Sequence, residues 1–106
     1  MEQVRKTVAD HDMVLLGPNC LGFIRPGLNL NASFARKTPP RGGVAFISQS
    51  GALCAAVLDW SVKENVGFSY FVSIGDMVDI GFHDLIDYFG NDPETRAILI
   101  YMETLT

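Results

Sequence analysis

The sequence is poor in the features that mark metal-binding, disulfide-stapled, nucleic-acid-binding or membrane-spanning chains. It has two cysteines, Cys20 and Cys54, which stand far apart and form no C-x-x-C pair. No His/Cys cluster with metal-ligand spacing accompanies them, so neither a metal centre nor a disulfide framework is expected, and a reducing cytoplasm is the expected setting. Eight basic residues are outnumbered by twelve acidic ones, giving a net charge of −4, and the basic residues are scattered. That distribution argues against a nucleic-acid footprint and against an anionic membrane surface. No apolar run nears the roughly 20 residues needed to cross a bilayer. The charged start, Met1–Lys6, is followed by no apolar run at a signal-peptide position. Internal repeats and low-complexity tracts are also missing. What the chain does have is apolar content: 48% of its 106 residues, enough for a packed core in a chain of single-domain length.

The apolar residues are arranged in a pattern. Residues 2–10 suit a short helix, with Val4 and Val8 on one face. Met13–Leu16 is a continuous apolar run that ends at Gly17-Pro18-Asn19, so it reads as a buried parallel strand. Residues 22–43 carry no period and are punctuated by Pro26-Gly27, Asn29, Asn31, Pro39-Pro40 and Gly42-Gly43, as in a linker or an ordered crossing loop.

A regular alternation follows. Val44–Ile47 reads as a strand, and residues 52–64 as a helix with Leu53, Val57 and Trp60 facing the core. Phe68–Ile74 is the next strand. Residues 80–89 form a second helix, with Asp79 as its N-cap, Ile80, Leu85, Ile86 and Phe89 on its apolar face, and Gly90–Pro93 as its stop. Ala97–Tyr101 is a third strand. The β-α-β-α-β order calls for an α/β fold with a parallel sheet between helical layers, a three-layer sandwich with right-handed crossovers.

In such sheets ligands sit beyond the carboxyl ends of the strands. Three candidate segments fall there. The first is Ser48–Gln49–Ser50–Gly51, a strand-to-helix turn. A helix N-terminus leaves N–H groups unpaired and carries partial positive charge, Gly51 allows close approach, and serine hydroxyls add donors, so the turn suits a phosphate. A plain serine N-cap explains the same string, and the pattern by itself leaves both open. Ser50 is a poor nucleophile candidate, because Ser48 and Ala52 stand where G-x-S-x-G needs glycines and neither His11 nor His83 is placed to activate it. The second segment is Gly17-Pro18-Asn19-Cys20, a constrained loop with a side-chain amide and a thiol. The third is Glu103, just after the last strand, which as a site residue could orient an imidazole.

The motifs are short, but their order is informative. The series GPNCLG, GGVAFISQSGAL, GFSYFVSIGDMVDIGFHDLIDYF and DPETRAILIYMETL resembles the NDP-forming acyl-CoA synthetase superfamily, from about Met13 to Thr106. That superfamily includes the succinyl-CoA synthetase α subunit, the ADP-forming acetyl-CoA synthetases, and protein lysine acetyltransferases that carry a similar region. The resemblance implies a flavodoxin-like half domain preceded by the last helix and strand of a Rossmann-like CoA-binding domain. Its divisions would be residues 1–24 for the CoA-binding end, 25–42 for a linker and 43–106 for the first half of the succinyl-CoA synthetase-type domain.

The resemblance also implies roles. Gly17, Pro18, Asn19 and Cys20 match the CoA and acyl-transfer loop. Ser48, Gln49, Ser50 and Gly51 match the start of a helix whose N-terminus holds phosphate or phosphohistidine. Glu103 matches the catalytic acidic residue that pairs with that histidine. Acyl-CoA and phosphate would be ligands, with CoA and with ADP or ATP and Mg²⁺ used by the parent protein and none held tightly by this chain. The family's phosphorylated histidine and its nucleotide-binding domain have no match here. The expectation is therefore a fragment, inactive alone, that works with the other domains or subunits of a synthetase and self-associates through uncovered apolar faces. The alternative parent is an acyl-CoA-sensing region of a protein lysine acetyltransferase. A flavodoxin-type FMN module is a third reading.

Overall fold

The structure is a computed structural model that describes residues 2–103; Met1 and residues 104–106, which end the expected 43–106 unit, lie outside the described residues. Its elements in order are helix α1 (Glu2–Asp10), strands β1 (Gly22–Arg25), β2 (Leu30–Ser33) and β3 (Arg41–Ser48), helix α2 (Gly51–Glu64), strand β4 (Phe68–Ser73), helix α3 (Phe82–Gly90) and strand β5 (Ala97–Tyr101). A 3₁₀ turn at Pro26–Leu28 joins β1 to β2.

The three strands expected from the alternating half form as a parallel unit, with β3 between β4 and β5. The sheet as a whole is mixed, in the order β2-β1-β4-β3-β5. This corrects two expectations. Residues 22–43 contain a hairpin, with β1 antiparallel both to β2 and to β4. Its short strands straddle a proline-glycine turn, so they carry too few residues to show a period. Met13–Leu16 is extended but joins no strand ladder. Its neighbour is an irregular loop, reached by Leu15 N–H to Asp79 Oδ2 at 2.9 Å and Ile80 N–H to the Leu15 carbonyl at 3.2 Å.

Two cores lie on the two faces of the sheet. Beneath α2, Ile24, Phe46, Cys54, Leu58, Phe68 and Phe71 are buried together. Phe71 packs on Phe46 at a centroid distance of 5.1 Å and edge-on to Phe68 at 5.2 Å. Phe68 and Phe71 share a face because β4 bulges there: one step on β3, Val44 to Ala45, spans two on β4, Phe68 to Tyr70. Beneath α3, Ala45, Ile47, Tyr70, Val72, Ile74 and Phe89 form the second core.

The buried stripe of α2 is Cys54, Leu58 and Ser61, one position away from the expected Leu53–Val57–Trp60. Leu53 and Val57 flank it, but Trp60 is 54% exposed. The indole therefore lies outside the core that its hydropathy suggested. Helix α3 begins at Phe82, not at residue 80. Its N-cap is Gly81, whose N–H donates to Asp84 Oδ2 at 2.9 Å, because Asp79 is already held by Leu15. Ile86 points outward, leaving Phe89 and half-buried Leu85 to face the sheet. Among the described residues no helix is long and apolar enough to cross a membrane.

The α2 assignment predicts unequal substitution costs. Leu58→Ala is expected to lose about 2–5 kcal/mol of stability in urea unfolding, while Trp60→Ala stays within about 0.5 kcal/mol. Equal losses would contradict the observed face.

A second prediction concerns Tyr70. Burial, then its 2.9 Å hydrogen bond with the Tyr88 hydroxyl, push the Tyr70 phenol from 10.0 up to about 12, against the Arg25 guanidinium 5.0 Å from its ring centroid. The folded state thus holds this proton more tightly than the unfolded state. Stability should be unaffected by Tyr70 below about pH 10 and should fall as pH rises towards 12. Tyr70→Phe should remove that component from urea midpoints measured across the range.

Candidate anion-binding site

The carboxyl ends of β3, β4 and β5 lie side by side, and each carries one wall of a cleft. Ser48 and Ser73 are register partners at the ends of β3 and β4, and both are fully buried. The Ser48 hydroxyl accepts the Ser50 N–H at 3.0 Å and donates to the Ser50 carbonyl at 3.0 Å, which folds the turn onto itself. Ser48 thereby shapes the turn from beneath it. Ser50 is the N-cap of α2: its Oγ accepts the Leu53 N–H at 3.1 Å, and its carbonyl accepts the Cys54 N–H at 3.1 Å. Its own hydroxyl proton remains available to the cleft.

Two N–H groups in the first turn of α2, those of Gly51 and Ala52, have no hydrogen-bond partner among the described residues. A Cβ at Gly51 would meet nothing within 4 Å, so the approach to these groups is open. They stand at the positive end of a 14-residue helix. The plain N-cap is present, and it does not use up the N–H groups of the turn. Ser50 caps one N–H, and the helix still presents two more.

The second wall comes from the Gly17–Cys20 loop. Gly17 has φ 97° and Asn19 φ 56°, and the Gly17–Pro18 peptide is cis. A side chain at Gly17 would meet Cys20 Sγ at 2.7 Å. The loop rests against the residues after β4, with Asp76 N–H donating to the Pro18 carbonyl at 2.9 Å and Val78 N–H to the Gly17 carbonyl at 3.1 Å. Gly75, at φ 55°, packs so tightly there that a Cβ would collide with the Pro18 carbonyl oxygen. Asn19 Nδ2 reaches Asp76 Oδ1 at 3.5 Å, so Asp76 supports this loop. Leu21 N–H donates to Ser73 Oγ at 3.0 Å, which ties the loop to the end of β4.

The third wall follows β5. Gln49 donates its N–H to the Tyr101 carbonyl at 3.2 Å, and its Oε1 accepts the Glu103 N–H at 2.5 Å. One residue of the turn thereby fixes the path of the chain that carries the Glu103 carboxylate.

These walls enclose an open cleft of about 440 Å³, lined by Asn19, Cys20, Gln49, Ser50, Gly51 and Glu103 from the expected set. Leu21, Phe34 and Ala52 line it too. Gly17 and Pro18 shape the loop from behind, and Ser48 lies beneath the turn. His11, bonded to the Thr7 carbonyl, and His83, beside Asp84, stay outside the cleft. Cys54 lies under the turn, where burial raises its thiol pKa against hydrogen bonds from Ser48 and Ser73. It is a packing residue. Ser73 and Phe34 were missed from the sequence. A serine closing an otherwise apolar strand was a usable signal for Ser73, while Phe34 sat in a stretch without periodicity.

Residues 41–106 match the succinyl-CoA ligase like flavodoxin domain. The ADP-forming acetate–CoA ligase of Methanocaldococcus jannaschii is 44% identical over 103 residues, 97% of this chain and 15% of that protein. A crystal structure of a Pyrococcus horikoshii OT3 protein superposes with a TM-score of 0.94 at 38% identity, covering 98% of this chain and 24% of that one. The dinucleotide-forming acetyl-coenzyme A synthetase 1 of Candidatus Korarchaeum cryptofilum, solved with phosphate and ADP, superposes with a TM-score of 0.93 at 42% identity, covering 99% and 23%. The chain thus spans 15–24% of the length of these proteins.

The Ser48 network yields a prediction. Ser48→Ala removes the partner of the half-buried Ser50 N–H and should cost about 0.5–1.5 kcal/mol. Ser50→Gly removes only the cap and should cost a few tenths of a kcal/mol, about as a glycine cap does elsewhere. Urea unfolding of the two variants checks the order.

Proposed function

The chain belongs to the succinyl-CoA ligase like flavodoxin domain family, and on that premise we propose that it supplies the phosphoryl-holding part of an NDP-forming acyl-CoA synthetase. The parent reaction would convert acyl-CoA, phosphate and ADP to acid, CoA and ATP. The observation that carries this reading is the cleft at the N-terminus of α2, where the open N–H groups of Gly51 and Ala52 meet Asn19 and Cys20 on one side and Glu103 on the other.

Each group has a task that its chemistry allows. The Gly51 and Ala52 N–H groups and the Ser50 hydroxyl would hold phosphoryl oxygens, with the helix dipole offsetting charge that grows as the group moves. Such donors are fixed before the reaction, so no reorganisation accompanies charge development. Asn19 and Cys20 would border the acyl and CoA thiol end. Glu103, on a segment fixed by Gln49, would orient an imidazole supplied by another part of the synthetase. ADP or ATP with Mg²⁺ would bind in that other part as well.

We assign residues 1–24 to the end of a CoA-binding unit and residues 43–106 to the first half of the flavodoxin-like unit. In support, α1 buries none of its residues, and the family match begins at residue 41. Cys20 and Cys54 are free thiols, which suits a reducing cytoplasm. Edge strand β5 exposes Leu99 and Tyr101, and self-association through it is expected to appear as a concentration-dependent sedimentation coefficient.

The reading predicts where phosphate binds. In amide NMR titrations of the chain with inorganic phosphate, the Gly51 and Ala52 resonances should move most, and Ser50→Ala should weaken the effect without abolishing it. The chain alone should form no acyl-CoA in a steady-state assay. Shifts spread over the surface, or confined to the arginines at the start of β3 and β5, would contradict the assignment.

A further inference from the structure

Phe34 stands out in the cleft. It is 86% exposed, the most exposed large hydrophobic among the described residues, although its backbone is firmly held. Phe34 N–H donates to the Leu21 carbonyl at 3.0 Å, and the next residue, Ala35, donates its N–H to Ser33 Oγ at 3.1 Å. The Ala35 carbonyl accepts from Asn31 Nδ2 at 3.2 Å. The fold thus fixes the place of this residue while leaving most of its surface open.

What surrounds the ring has two characters. On one side is the polar cleft of Gly51 and Ala52. On the other is an adjoining open hollow of about 280 Å³, lined by Leu21, Ala35, Ala55 and Leu58, with Arg36 and the exposed Lys37–Asp59 ion pair at 3.8 Å along its rim. Phe34 and Leu21 line both spaces. A molecule with an anionic end at the helix N-terminus and an apolar body would have to cross the Phe34 ring to enter the hollow.

We propose that Phe34 is a specificity-determining residue: the apolar wall against which the hydrocarbon part of a carboxylic acid or acyl phosphate packs while its anionic end sits at Gly51 and Ala52. This rests on the proposed synthetase reading, because that reading puts an acyl group beside the phosphoryl site. The ring favours acids with branched or aryl bodies, which bury more apolar area on it than acetate can. Phe34 takes no part in bond making.

The test uses the full chain and its Phe34→Ala and Phe34→Leu variants, titrated with acetate, isobutyrate, phenylacetate and inorganic phosphate by ligand-observed NMR. The wild-type chain should bind phenylacetate about tenfold more tightly than acetate, the scale on which a small apolar increment in a pocket discriminates. Phe34→Ala should bring that ratio to within about twofold, and Phe34→Leu should restore part of it. Phosphate affinity should be the same in all three proteins. Because the ring is exposed, circular dichroism should show unchanged folding in both variants.

A wild-type chain with no preference for the larger acids overturns the proposal, as does a preference that survives Phe34→Ala. A variant that loses only self-association, with the acid series unchanged, identifies the ring as a contact between subunits and overturns it too. Absence of phosphate binding in the wild type fails the synthetase reading instead, and the Phe34-dependent ratio still decides this one.

Discussion

Two serines opposite each other at the carboxyl ends of β3 and β4 hold the functional end of the molecule together. Ser48 and Ser73 are fully buried in a sheet whose neighbouring positions are apolar. Buried hydroxyls are retained only when their hydrogen bonds are made, and here each serine bonds the backbone of a different segment as well as the Cys54 thiol. Ser48 closes the turn into α2 through Ser50. Ser73 accepts the Leu21 N–H and so docks the Gly17–Cys20 loop. The Ile74 N–H returns to the Ser48 carbonyl at 2.9 Å and locks the two strand ends. The third segment, after β5, joins through Gln49. The cleft is a consequence of these bonds: they bring the segments together and leave Gly51 and Ala52 facing outward.

The parts of the fold that were legible in the sequence are those in which chain-local physics decides the outcome. Strands β3, β4 and β5 are short apolar runs bounded by turn residues. Helices α2 and α3 have capping and stop signals near the correct places. The parallel pairing follows from the alternation of strands and helices. Where tertiary contacts decide, local reading failed. Asp79 has every property of an N-cap, but Leu15 claims its carboxylate and Gly81 takes the cap. Trp60 has the hydropathy of a core residue, but the register of α2 against β3 and β4 brings Cys54, Leu58 and Ser61 inward. The β1–β2 hairpin has four-residue strands around Pro26-Gly27 and was indistinguishable from a linker.

The candidate site divides in the same way. Asn19, Cys20, Gln49, Ser50, Gly51 and Glu103 come from three separated stretches, and only their order in the chain suggested a common destination. The structure brings all six to one cleft. Ser48 was expected at a phosphate because its hydroxyl adds a donor to the strand-to-helix turn. It is completely buried and bonded to Ser50, and so holds the turn from below. Phe34 and Ser73 needed the folded chain: one is defined by lacking contacts, the other by making one across 52 positions of sequence.

The central claim is that this end of the sheet holds an anion at the start of α2. Crystals of the chain grown with tungstate, a heavy tetrahedral oxyanion, test it most directly through the anomalous signal. The account predicts a tungsten peak placed so that its oxygens accept hydrogen bonds from the Gly51 and Ala52 N–H groups, with the Ser50 cap and the Gln49–Glu103 bond intact. A peak only elsewhere on the surface, with this cleft empty of anion, would contradict it.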